Sequence, residues 1–413
     1  MPTEPTYLIV GASLCGAKAA ETLREEGFGG TVIMLGSETE RPYERPPLSK
    51  GYLLGKDDKS VIYVHEEGWY AGHGVDLRLG VTVTAVDPAA RTVTTADGES
   101  VGYDRLLLAT GASPRQLDIP GAARDGVMYL RTVGNSERLA AAFRGGGRVV
   151  TIGAGWIGLE VTAAAREAGC EVTVVEPEPT ALYRALGPEL GGMFADLHRE
   201  HGVEFRFGES VSEIRGPGGR GLAGRVGEVV TSSGAVVPAD VVVVGIGAVP
   251  NTGLAADAGL ETGNGVVTDA ALRTSDPNIY AAGDLASSYH PLLGRRVRVE
   301  HWANALNSGP AAARSMLGQD VTYDPVPYFF SDQYDLGMET AGLPEPGRYD
   351  QVLYRGDRPG REFIAFWLAG GAVVAGMNVN VWDVNDDIQA LIRSGKQVDP
   401  ARLTDPDVPL ADL

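Results

Sequence analysis

Two stretches of the sequence share the same order of apolar and polar positions. In each, a short apolar run, residues 7–10 or residues 149–152, leads through a glycine-rich turn into a segment with helical spacing. A short continuous apolar run predicts a buried strand, and apolar positions three and four residues apart predict an amphipathic helix. The helical segments are residues 17–26 and 159–168. The chain therefore contains a strand–turn–helix pattern twice.

A second apolar run follows each helix, after Gly27 in the first copy and after Gly169 in the second. Glycine is typical at this place because it adopts the left-handed backbone that ends a helix. The two runs, residues 31–35 and 171–175, predict a second strand in each copy. A strand–helix–strand unit opening on a glycine-rich turn is typical of dinucleotide-binding folds. We therefore predict two Rossmann-like domains in an α/β protein.

The turns themselves carry the binding pattern. The second is a complete Gly-x-Gly-x-x-Gly motif of Gly153, Gly155 and Gly158, whereas the first has Gly11 and Gly16 with a serine at the middle position. In such motifs the first glycine permits the turn, the second admits a pyrophosphate, and the third allows close packing of helix on strand. The helix N-terminus then offers free N–H groups to the phosphates. Both turns are predicted to bind a dinucleotide.

Acidic residues near the second strands predict which nucleotide each copy holds. Glu176 ends this strand in the second copy, where a carboxylate accepts hydrogen bonds from both ribose hydroxyls. Because an acid repels a 2′-phosphate, Glu176 favours NADH over NADPH. In the first copy Gly36 stands at the equivalent place, and Glu38 is the ribose candidate, with a solvated loop acid as the alternative.

Further buried strands extend the pattern. Residues 106–112 and 279–284 are apolar runs that close on small-residue turns, the latter ending in Asp284, and residues 241–250 form a run apolar on both faces. Asp284 predicts a second nucleotide contact, with a turn-closing carboxylate as the alternative. Residues 216–227 predict a hairpin loop. From about residue 323 the glycine motifs stop, and alternating strands followed by a helix over residues 384–394 predict an α+β unit.

Composition and charge exclude several classes of protein. The chain has 413 residues, with 35 Lys and Arg against 54 Asp and Glu, a net charge of −19. Nucleic acids and anionic membranes attract an excess of positive charge, so neither is an expected partner. No run of about 18 apolar residues predicts a transmembrane helix, and the start of the chain lacks the pattern of a signal peptide.

The cysteines and histidines offer few metal or redox sites. Cys15 and Cys170 are the only cysteines, so the sequence holds no Cys-x-x-Cys dithiol and no cysteine-rich zinc or iron–sulfur ligand set. Both are expected to be packing residues of a cytoplasmic protein. His198 and His201 are three residues apart, but no third ligand follows at a suitable spacing. A solvated helix face is expected there, and no metal.

Several longer motifs carry a family resemblance over nearly the whole chain. They are Arg-Pro-Pro-Leu-Ser-Lys at 45–50, Ala-Thr-Gly-Ala at 109–112, Gly-Trp-Ile-Gly-Leu-Glu at 155–160, Tyr-Ala-Ala-Gly-Asp at 280–284, Glu-His-Trp at 300–302 and Ser-Asp-Gln-Tyr-Asp-Leu-Gly at 331–337. With them the chain resembles two-dinucleotide-binding-domain flavoproteins. Within these it is similar to NADH-dependent ferredoxin reductases of the putidaredoxin reductase type, which serve bacterial cytochrome P450 and Rieske oxygenases.

The resemblance implies a glutathione-reductase-like α/β fold in three domains. An FAD-binding domain would comprise residues 1–113 and 249–322, an NADH-binding domain residues 114–248, and a C-terminal α+β domain residues 323–413. The residues assigned to FAD are Gly11, Ser13, Leu14, Cys15, Gly16, Glu38, Arg45, Lys50, Val83, Ala109, Thr110, Gly111, Arg131, Gly283, Asp284, His301 and Trp302. Those assigned to NADH are Gly153, Gly155, Trp156, Ile157, Gly158, Glu160, Glu176, Gly245, Ile246 and Gly247.

The resemblance assigns two residues to catalysis, at positions that match the motifs of the family. Lys50 would lie near flavin N5, where an ammonium stabilises the charge that arrives with hydride. Glu160 would lie where the nicotinamide lands, although a carboxylate in this part of a helix is also stabilised by the macrodipole alone. Asp284 would accept a hydrogen bond from the ribityl chain, Arg131 would reach FAD, and the helix after Trp302 would point its N-terminus at flavin O2.

The implied function is hydride transfer from NADH to FAD and then single-electron transfer to a [2Fe–2S]-type ferredoxin that supplies an oxygenase. Disulfide reductases of this architecture need a thiol pair or a single reactive cysteine beside the flavin, and neither Cys15 nor Cys170 is expected to be placed for that role. The alternatives are an NADH oxidase or peroxidase, a rubredoxin or nitrite reductase component, and a redox-sensing flavoprotein resembling apoptosis-inducing factor. Phe329, Phe330 and Trp302 are aromatic candidates for the wall between flavin and surface, with ordinary core packing as the alternative.

An acidic ferredoxin would dock on a locally basic surface. Arg295, Arg296 and Arg298 form the densest basic stretch, in a predicted hairpin, and Arg314 lies on the helix that follows. A solvated hairpin is the alternative. Pro310 predicts a break in that helix near residues 308–309, because a proline removes a hydrogen bond and kinks a helix.

Overall fold

The computed structural model describes residues 4–219 and 224–413. The chain divides into two compact units. Unit 1 comprises the residues up to Glu44, together with Lys59–Ser113 and Val249–Pro327. Unit 2 comprises Arg45–Asp58, Pro114–Ala248 and Tyr328–Leu413. Residues 45–58, which the sequence-based boundaries include in the FAD-binding domain, thus group with unit 2.

The strands and helices of the described residues are numbered here in chain order. The strands are β1 (Thr6–Val10), β2 (Thr31–Gly36), β3 (Val75–Leu79), β4 (Val83–Asp87), β5 (Thr92–Thr95), β6 (Ser100–Gly102), β7 (Arg105–Leu108), β8 (Ala112–Pro114), β9 (Val127–Met128), β10 (Arg148–Ile152), β11 (Glu171–Glu176), β12 (Glu204–Phe207), β13 (Val211–Arg215), β14 (Glu228–Thr231), β15 (Val236–Pro238), β16 (Val241–Val244), β17 (Ala248–Pro250), β18 (Thr262–Gly263), β19 (Gly265–Thr268), β20 (Ile279–Ala281), β21 (Ala286–His290), β22 (Arg295–Val297), β23 (Tyr328–Gln333), β24 (Leu336–Gly342), β25 (Gln351–Asp357), β26 (Glu362–Ala369) and β27 (Ala372–Val379). The helices are α1 (Leu14–Glu25), α2 (Trp69–Gly72), α3 (Val133–Phe143), α4 (Trp156–Glu167), α5 (Tyr183–Glu200), α6 (Gly253–Asp257), α7 (Trp302–Met316), α8 (Asn385–Ser394) and α9 (Pro400–Thr404).

Unit 1 is built on a parallel sheet in the order β20-β7-β1-β2-β3. Its central strands are apolar on both faces because helices cover the sheet, and Leu8, Ile9, Leu106 and Leu107 have no exposed surface. Two smaller sheets, β4-β5-β6 and β18-β19-β21-β22, complete the unit. The sheet order places the β1–α1 turn beside the ends of β7 and β20.

Unit 2 contains a second parallel sheet, in the order β12-β11-β10-β16-β9, and a five-stranded antiparallel sheet, β23-β24-β27-β26-β25. One core joins them, with Phe194 of α5 and Trp367 of β26 fully buried in it. The pairing of β13 with β14 is that of the predicted hairpin, of which residues 220–223 lie outside the described residues. The two parallel, Rossmann-like sheets and the antiparallel sheet with its following helices confirm the predicted fold class.

Helix α7 continues through Pro310, so the predicted break near residues 308–309 is wrong. The reason is close packing of α7 on α1. A side chain added at Gly309 would have its Cβ 2.3 Å from the backbone oxygen of Cys15, and Ala312 and Ala313 are fully buried. This burial offsets the one hydrogen bond that the proline removes.

Candidate functional site

Close packing within the protein explains two of the glycines in the motif between β1 and α1. Gly11 has a φ of +125°, and a Cβ there would lie 2.1 Å from the oxygen of Ala109. A Cβ on Gly16 would lie 2.0 Å from the oxygen of Gly11. Ser13 is the N-cap residue of α1, and its side chain caps no backbone N–H. The first and third motif positions therefore need glycine for packing, and the middle position tolerates serine.

The turn between β10 and α4 repeats this arrangement with one difference. Gly153 has a φ of +99°, and a Cβ there would lie 2.5 Å from the oxygen of Gly245. A Cβ on Gly158 would lie 2.2 Å from the oxygen of Gly153. A Cβ on Gly155, in contrast, would lie 4.0 Å from its nearest atom. Packing alone therefore does not require glycine at position 155, because a Cβ there would make only an ordinary van der Waals contact.

The two acidic candidates are each anchored within their own unit. Glu176 accepts hydrogen bonds from the backbone N–H of Ala154 at 2.7 Å and of Glu178 at 3.0 Å, which fixes its carboxylate beside the glycine turn. Each carboxylate oxygen has further acceptor capacity for a ribose hydroxyl. In unit 1, Glu38 accepts from the hydroxyl of the buried Tyr43 at 2.5 Å.

The turn after β20 packs against α7. The N–H of Gly283 donates to Ser308 Oγ at 2.9 Å, and Cys15 Sγ lies 3.8 Å from the same oxygen. Burial raises the pKa of Cys15 to about 12, so its thiol stays protonated. Asp284 is half-buried beside this turn. Loss of hydration lowers the pKa of His301, the N-cap residue of α7, to about 4, so its imidazole is neutral.

The remaining residues assigned to FAD are held by local contacts. Thr110 Oγ1 donates to the backbone oxygen of Asn251 at 3.1 Å, and the Asn251 amide returns a 2.8 Å hydrogen bond to the oxygen of Thr110. This pair fixes the turn that contains Ala109 and Gly111. Val83 is buried in β4, and in unit 2 the guanidinium of Arg45 donates to the backbone oxygen of Arg131.

Lys50 and Glu160 meet in unit 2, although 110 residues separate them. Glu160 lies in α4, and only 6% of its surface is exposed. Lys50 follows a 3₁₀ turn, Pro46–Ser49, whose two prolines restrict the backbone. The distance from Lys50 Nζ to Glu160 Oε1 is 2.6 Å. The structure thus places the two residues assigned to catalysis in one ion pair.

Two serines that the sequence analysis did not single out complete the surroundings of this carboxylate. Ser49 Oγ donates to Glu160 Oε2 at 2.5 Å, and Ser331 Oγ of β23 donates to Glu160 Oε1 at 2.7 Å. Both serines lie inside the motifs of the resemblance, but a single hydroxyl carries no periodic signal. The Lys50 ammonium also lies 5.6 Å from the ring centre of Phe330, within cation–π range.

The other residues assigned to NADH surround the second turn. Trp156 and Ile157 begin α4, and 47% of Ile157 is exposed. The Trp156 ring contacts Phe329 edge-on at 5.0 Å, which gives this aromatic residue a packing role. Gly245 follows β16 and lies against Gly158. Ile246 packs against the core beside this sheet, and Gly247 has a φ of +99°.

Comparison with known proteins identifies the family. The family model for pyridine nucleotide-disulphide oxidoreductases matches residues 5–309, and the model for the reductase C-terminal region matches residues 328–413. The ferredoxin–NAD(+) reductase component of the anthranilate 1,2-dioxygenase system of Burkholderia cepacia is 41% identical over 412 residues, 99% of each chain. The chain belongs to the ferredoxin reductases of this family.

Other relatives of the reductase extend this result to structure. Putidaredoxin reductase of Pseudomonas putida is 35% identical over 416 residues, 100% of this chain and 97% of its own. The crystal structure of a covalent putidaredoxin reductase–putidaredoxin complex matches with a TM-score of 0.94 over 99% of this chain and 98% of that one, at 35% identity. FAD and NAD(H) are the cofactors of this family, as predicted.

The arginines predicted to form a docking surface bond to other residues of the reductase itself. Arg296 donates to the backbone oxygen of Thr268, and Arg298 forms an ion pair with Glu300. Arg314 pairs with Glu26 at 2.8 Å. The two ion pairs offset the charges of Arg298 and Arg314, whereas the hydrogen bond of Arg296 to a carbonyl leaves its charge in place.

The histidine pair at the C-terminal end of α5, with His198 in the helix and His201 as its C-cap residue, differs from its prediction. His198 has no exposed surface, so the expected solvated helix face is wrong for this residue. It hydrogen-bonds to Gln333 and Tyr334, and His201 stacks on the Tyr334 ring at 3.6 Å between centres. Residues 4–219 and 224–413 contain no cluster of three side chains suited to a metal ion. In the same part of the chain, no helix has the length and apolar character to cross a membrane.

Proposed function

We propose that the chain is an FAD-dependent NADH:ferredoxin oxidoreductase that delivers single electrons to a [2Fe–2S]-type ferredoxin supplying a cytochrome P450 or Rieske oxygenase. The observation that carries the proposal within this family is the state of the two thiols. Cys15 and Cys170 are both free and buried, and burial raises the pKa of each. No thiol pair is available to take electrons from a flavin, which favours direct transfer to a one-electron acceptor.

Relatives and structural neighbours support the same acceptor. The 5,5′-dehydrodivanillate O-demethylase ferredoxin reductase subunit of Sphingobium is 40% identical over 98% of this chain. The ferredoxin reductase for the CYP199A2 system of Rhodopseudomonas palustris matches with a TM-score of 0.93 at 36% identity. An oxygenase-coupled ferredoxin is therefore the acceptor we assign.

The proposed cofactor residues follow the two glycine turns. For FAD they are the residues assigned from the sequence around Gly11, Glu38, Thr110, Asp284 and Trp302, with Arg45, Lys50, Val83 and Arg131; for NADH they are those around Gly155, Glu176 and Gly247. FAD, when bound, supplies the conversion of a two-electron hydride donor into single electrons. We also retain residues 1–113 with 249–322, 114–248 and 323–413 as the proposed domains.

Lys50 and Glu160 are the proposed catalytic pair. The Lys50 ammonium supplies fixed positive charge where negative charge develops during hydride transfer. Glu160 holds that ammonium in place at 2.6 Å, and its own carboxylate is held by two serine hydroxyls. Because Glu160 is buried and the Lys50 side chain is only 18% exposed, water competes weakly for these hydrogen bonds, and the geometry is set before NADH arrives.

Anaerobic stopped-flow absorbance tests the proposal. The FAD-reconstituted chain is mixed with NADH, and the reduced protein is then mixed with putidaredoxin as the [2Fe–2S] probe. We expect bleaching of the flavin band by NADH and reduction of the ferredoxin on mixing. Absence of flavin absorbance after reconstitution, or NADH consumption in air that is fast without ferredoxin, would contradict the proposal.

We further propose a cytoplasmic location. Both thiols are free, which is typical of proteins in a reducing compartment. Fractionation of cells that express the tagged chain tests this proposal. Recovery in the cytosolic fraction is expected, and recovery with the periplasm or membranes would refute it.

A further inference from the structure

A row of hydrogen bonds runs from the Glu160 carboxylate to the end of α5. Ser331 Oγ lies 2.7 Å from Glu160 Oε1, and Gln333 Nε2 lies 3.0 Å from Ser331 Oγ. Gln333 Oε1 lies 2.8 Å from His198 Nε2, and the Tyr334 hydroxyl lies 3.2 Å from His198 Nδ1. Ser331 and Gln333 are each 1% exposed, and His198 is fully buried. The row therefore lies almost entirely out of water.

The chemistry of the carboxylate fixes the direction of every hydrogen bond in the row. A carboxylate paired with an ammonium only accepts, so Ser331 donates its hydroxyl proton to Glu160. Ser331 Oγ must then accept from the Gln333 amide nitrogen, which turns the amide oxygen toward His198. That oxygen accepts, so His198 carries its proton on Nε2, and Nδ1 accepts from the Tyr334 hydroxyl.

The protonation state of His198 agrees with this direction. Burial lowers the pKa of His198 to about 4, which keeps its imidazole neutral at physiological pH. A neutral imidazole offers one donor and one acceptor, and the row uses one of each. All four donors thus point toward Glu160.

The backbone at the far end of the row is strained. Tyr334 has a φ of +58° in the tight turn between β23 and β24, a conformation that a side chain with a Cβ rarely adopts. Glycine or asparagine would relieve it. The tyrosine side chain compensates by stacking on His201, with 3.6 Å between ring centres and 7° between planes, and by donating to His198. Strain retained in this way indicates that the side chain has a role.

We propose that Ser331, Gln333, His198 and Tyr334 are positioning residues that hold the Glu160 carboxylate in place for hydride transfer from NADH. The proposal rests on the proposed function, since it concerns the same site. The Glu160 carboxylate accepts hydrogen bonds from Ser49 and Lys50, and it accepts a further one from Ser331 of β23, which connects it to the row. Loss of the row frees the carboxylate to rotate, and the ammonium of Lys50 moves with it. Displacements of about 1 Å at a reacting centre cost up to about 100-fold in rate.

The kinetic experiment uses the FAD-reconstituted chain and two matched pairs of variants. His198→Leu breaks the row, whereas His198→Gln keeps a donor toward Gln333. Tyr334→Phe removes the terminal hydroxyl, and Tyr354→Phe removes a hydroxyl that donates instead to Glu189 at 2.7 Å. We expect the limiting rate of flavin reduction to fall about 10-fold to 100-fold in His198→Leu, to recover largely in His198→Gln, and to fall several-fold in Tyr334→Phe but not in Tyr354→Phe.

The apparent dissociation constant for NADH separates positioning from a binding or folding defect. It should change less than about three-fold in every variant, because the row is distinct from Glu176 and the glycine turn. An unchanged limiting rate in both His198→Leu and Tyr334→Phe would overturn the proposal. If His198→Leu does not fold, Tyr334→Phe against Tyr354→Phe decides the result.

A second readout needs no NADH. Nitrogen-15 NMR of histidine-labelled protein reports which ring nitrogen of His198 carries the proton, with His198→Gln identifying the signal. We expect the Nε2–H form in the native chain, and a mixture of forms in Glu160→Gln but not in the control Glu189→Gln. An Nδ1–H form in the native chain, or no response to Glu160→Gln, would overturn the row. A native chain that shows the expected form but is not reduced by NADH would overturn the proposed function alone.

Discussion

At the scale of single residues, the carboxylate of Glu160 accepts hydrogen bonds from three side chains, and no pattern in the sequence indicates all of them. Its position in the motif at 155–160 is readable from the sequence, and so is the restricted backbone before Lys50. Their pairing is not, because it depends on how two segments 110 residues apart come together. The same holds for Ser331, which is 171 residues from Glu160. Local sequence predicts which residues have suitable chemistry, and tertiary structure decides which of them meet.

Replacing Lys50 by Met tests the catalytic pair. The change removes the ammonium but keeps most of the side-chain volume, and it leaves the buried carboxylate with two hydroxyl donors. We expect flavin reduction by NADH to slow at least about 10-fold, with little loss of bound FAD. The free energy of unfolding should fall by about 1–3 kcal/mol, because a buried charged acceptor loses a partner.

Lys56→Met is the matched control for this change. Lys56 forms an ion pair with Glu167 at 2.8 Å, but its side chain is 63% exposed. Exposed pairs contribute about 0–1 kcal/mol, so the control should alter neither the rate nor the stability measurably. Equal slowing in both variants would contradict the assignment of Lys50.

Glu176 provides a test of nucleotide selectivity. Its replacement by Ala removes the acceptor for ribose hydroxyls and the charge that repels a 2′-phosphate. We expect the ratio of kcat/KM for NADH to that for NADPH to fall about 10-fold or more, with the fall in NADH efficiency expressed mainly in KM. Glu178→Ala, which removes a carboxylate paired with Arg184, should leave the ratio unchanged. Unchanged selectivity in Glu176→Ala would refute the ribose assignment.

At the scale of elements, the two strand–turn–helix units were predicted to within three residues of their observed ends. Helix α1 begins at Leu14 and α4 at Trp156, each three residues before its predicted start. Apolar spacing marks only the buried face, so it misses the first turn beside the glycine loop. Pro310 shows the opposite case, since a strong local signal for a helix break is overruled by the contact of α7 with α1.

Two glycines of the second turn allow a packing role and a binding role to be tested separately. Gly153→Ala places a Cβ 2.5 Å from a carbonyl oxygen at a φ of +99°, and should lower the free energy of unfolding by about 1–3 kcal/mol. Gly155 has a φ of −79°, which alanine adopts freely, and its Cβ would lie at an ordinary van der Waals distance of 4.0 Å from its nearest atom.

We therefore expect Gly155→Ala to keep the native melting temperature and to weaken NADH binding at least about 10-fold, equivalent to about 1.4 kcal/mol. Differential scanning calorimetry and NADH titration measure the two quantities. A large loss of stability in Gly155→Ala, or native NADH affinity, would contradict the role of this glycine.

At the scale of the whole molecule, both thiols are removed from redox chemistry by their surroundings. The pKa of Cys15 is raised to about 12 by burial, and that of Cys170 is also raised by burial. At pH 8 a thiol with a pKa of about 12 is ionised in about one molecule in 10⁴, and only the thiolate reacts rapidly. We expect iodoacetamide to leave both cysteines unmodified in the native protein and to modify both after denaturation.

Mass spectrometry of intact protein measures this modification between pH 7 and 9. Electron transfer from NADH to ferredoxin should be unchanged after the treatment. Rapid modification of the native chain together with loss of electron transfer would contradict direct transfer from the flavin. The absence of a thiol pair and the packing role of the two single cysteines were readable from the sequence, but the rise in their thiol pKa was not.

Unit 1 is assembled from segments far apart in the sequence, with β20 beside β7 and α7 against α1. The ribosome therefore releases the first strands and α1 long before the strand and helix that complete their sheet and cover. At about 5–20 residues per second, synthesis of the intervening segment takes roughly ten seconds or more. During that time the edge of β7 and the face of α1 at Cys15 and Ala19 lack their native partners. The close helix contact at Gly309 can thus form only after most of the chain has been synthesised, and unit 1 is completed late.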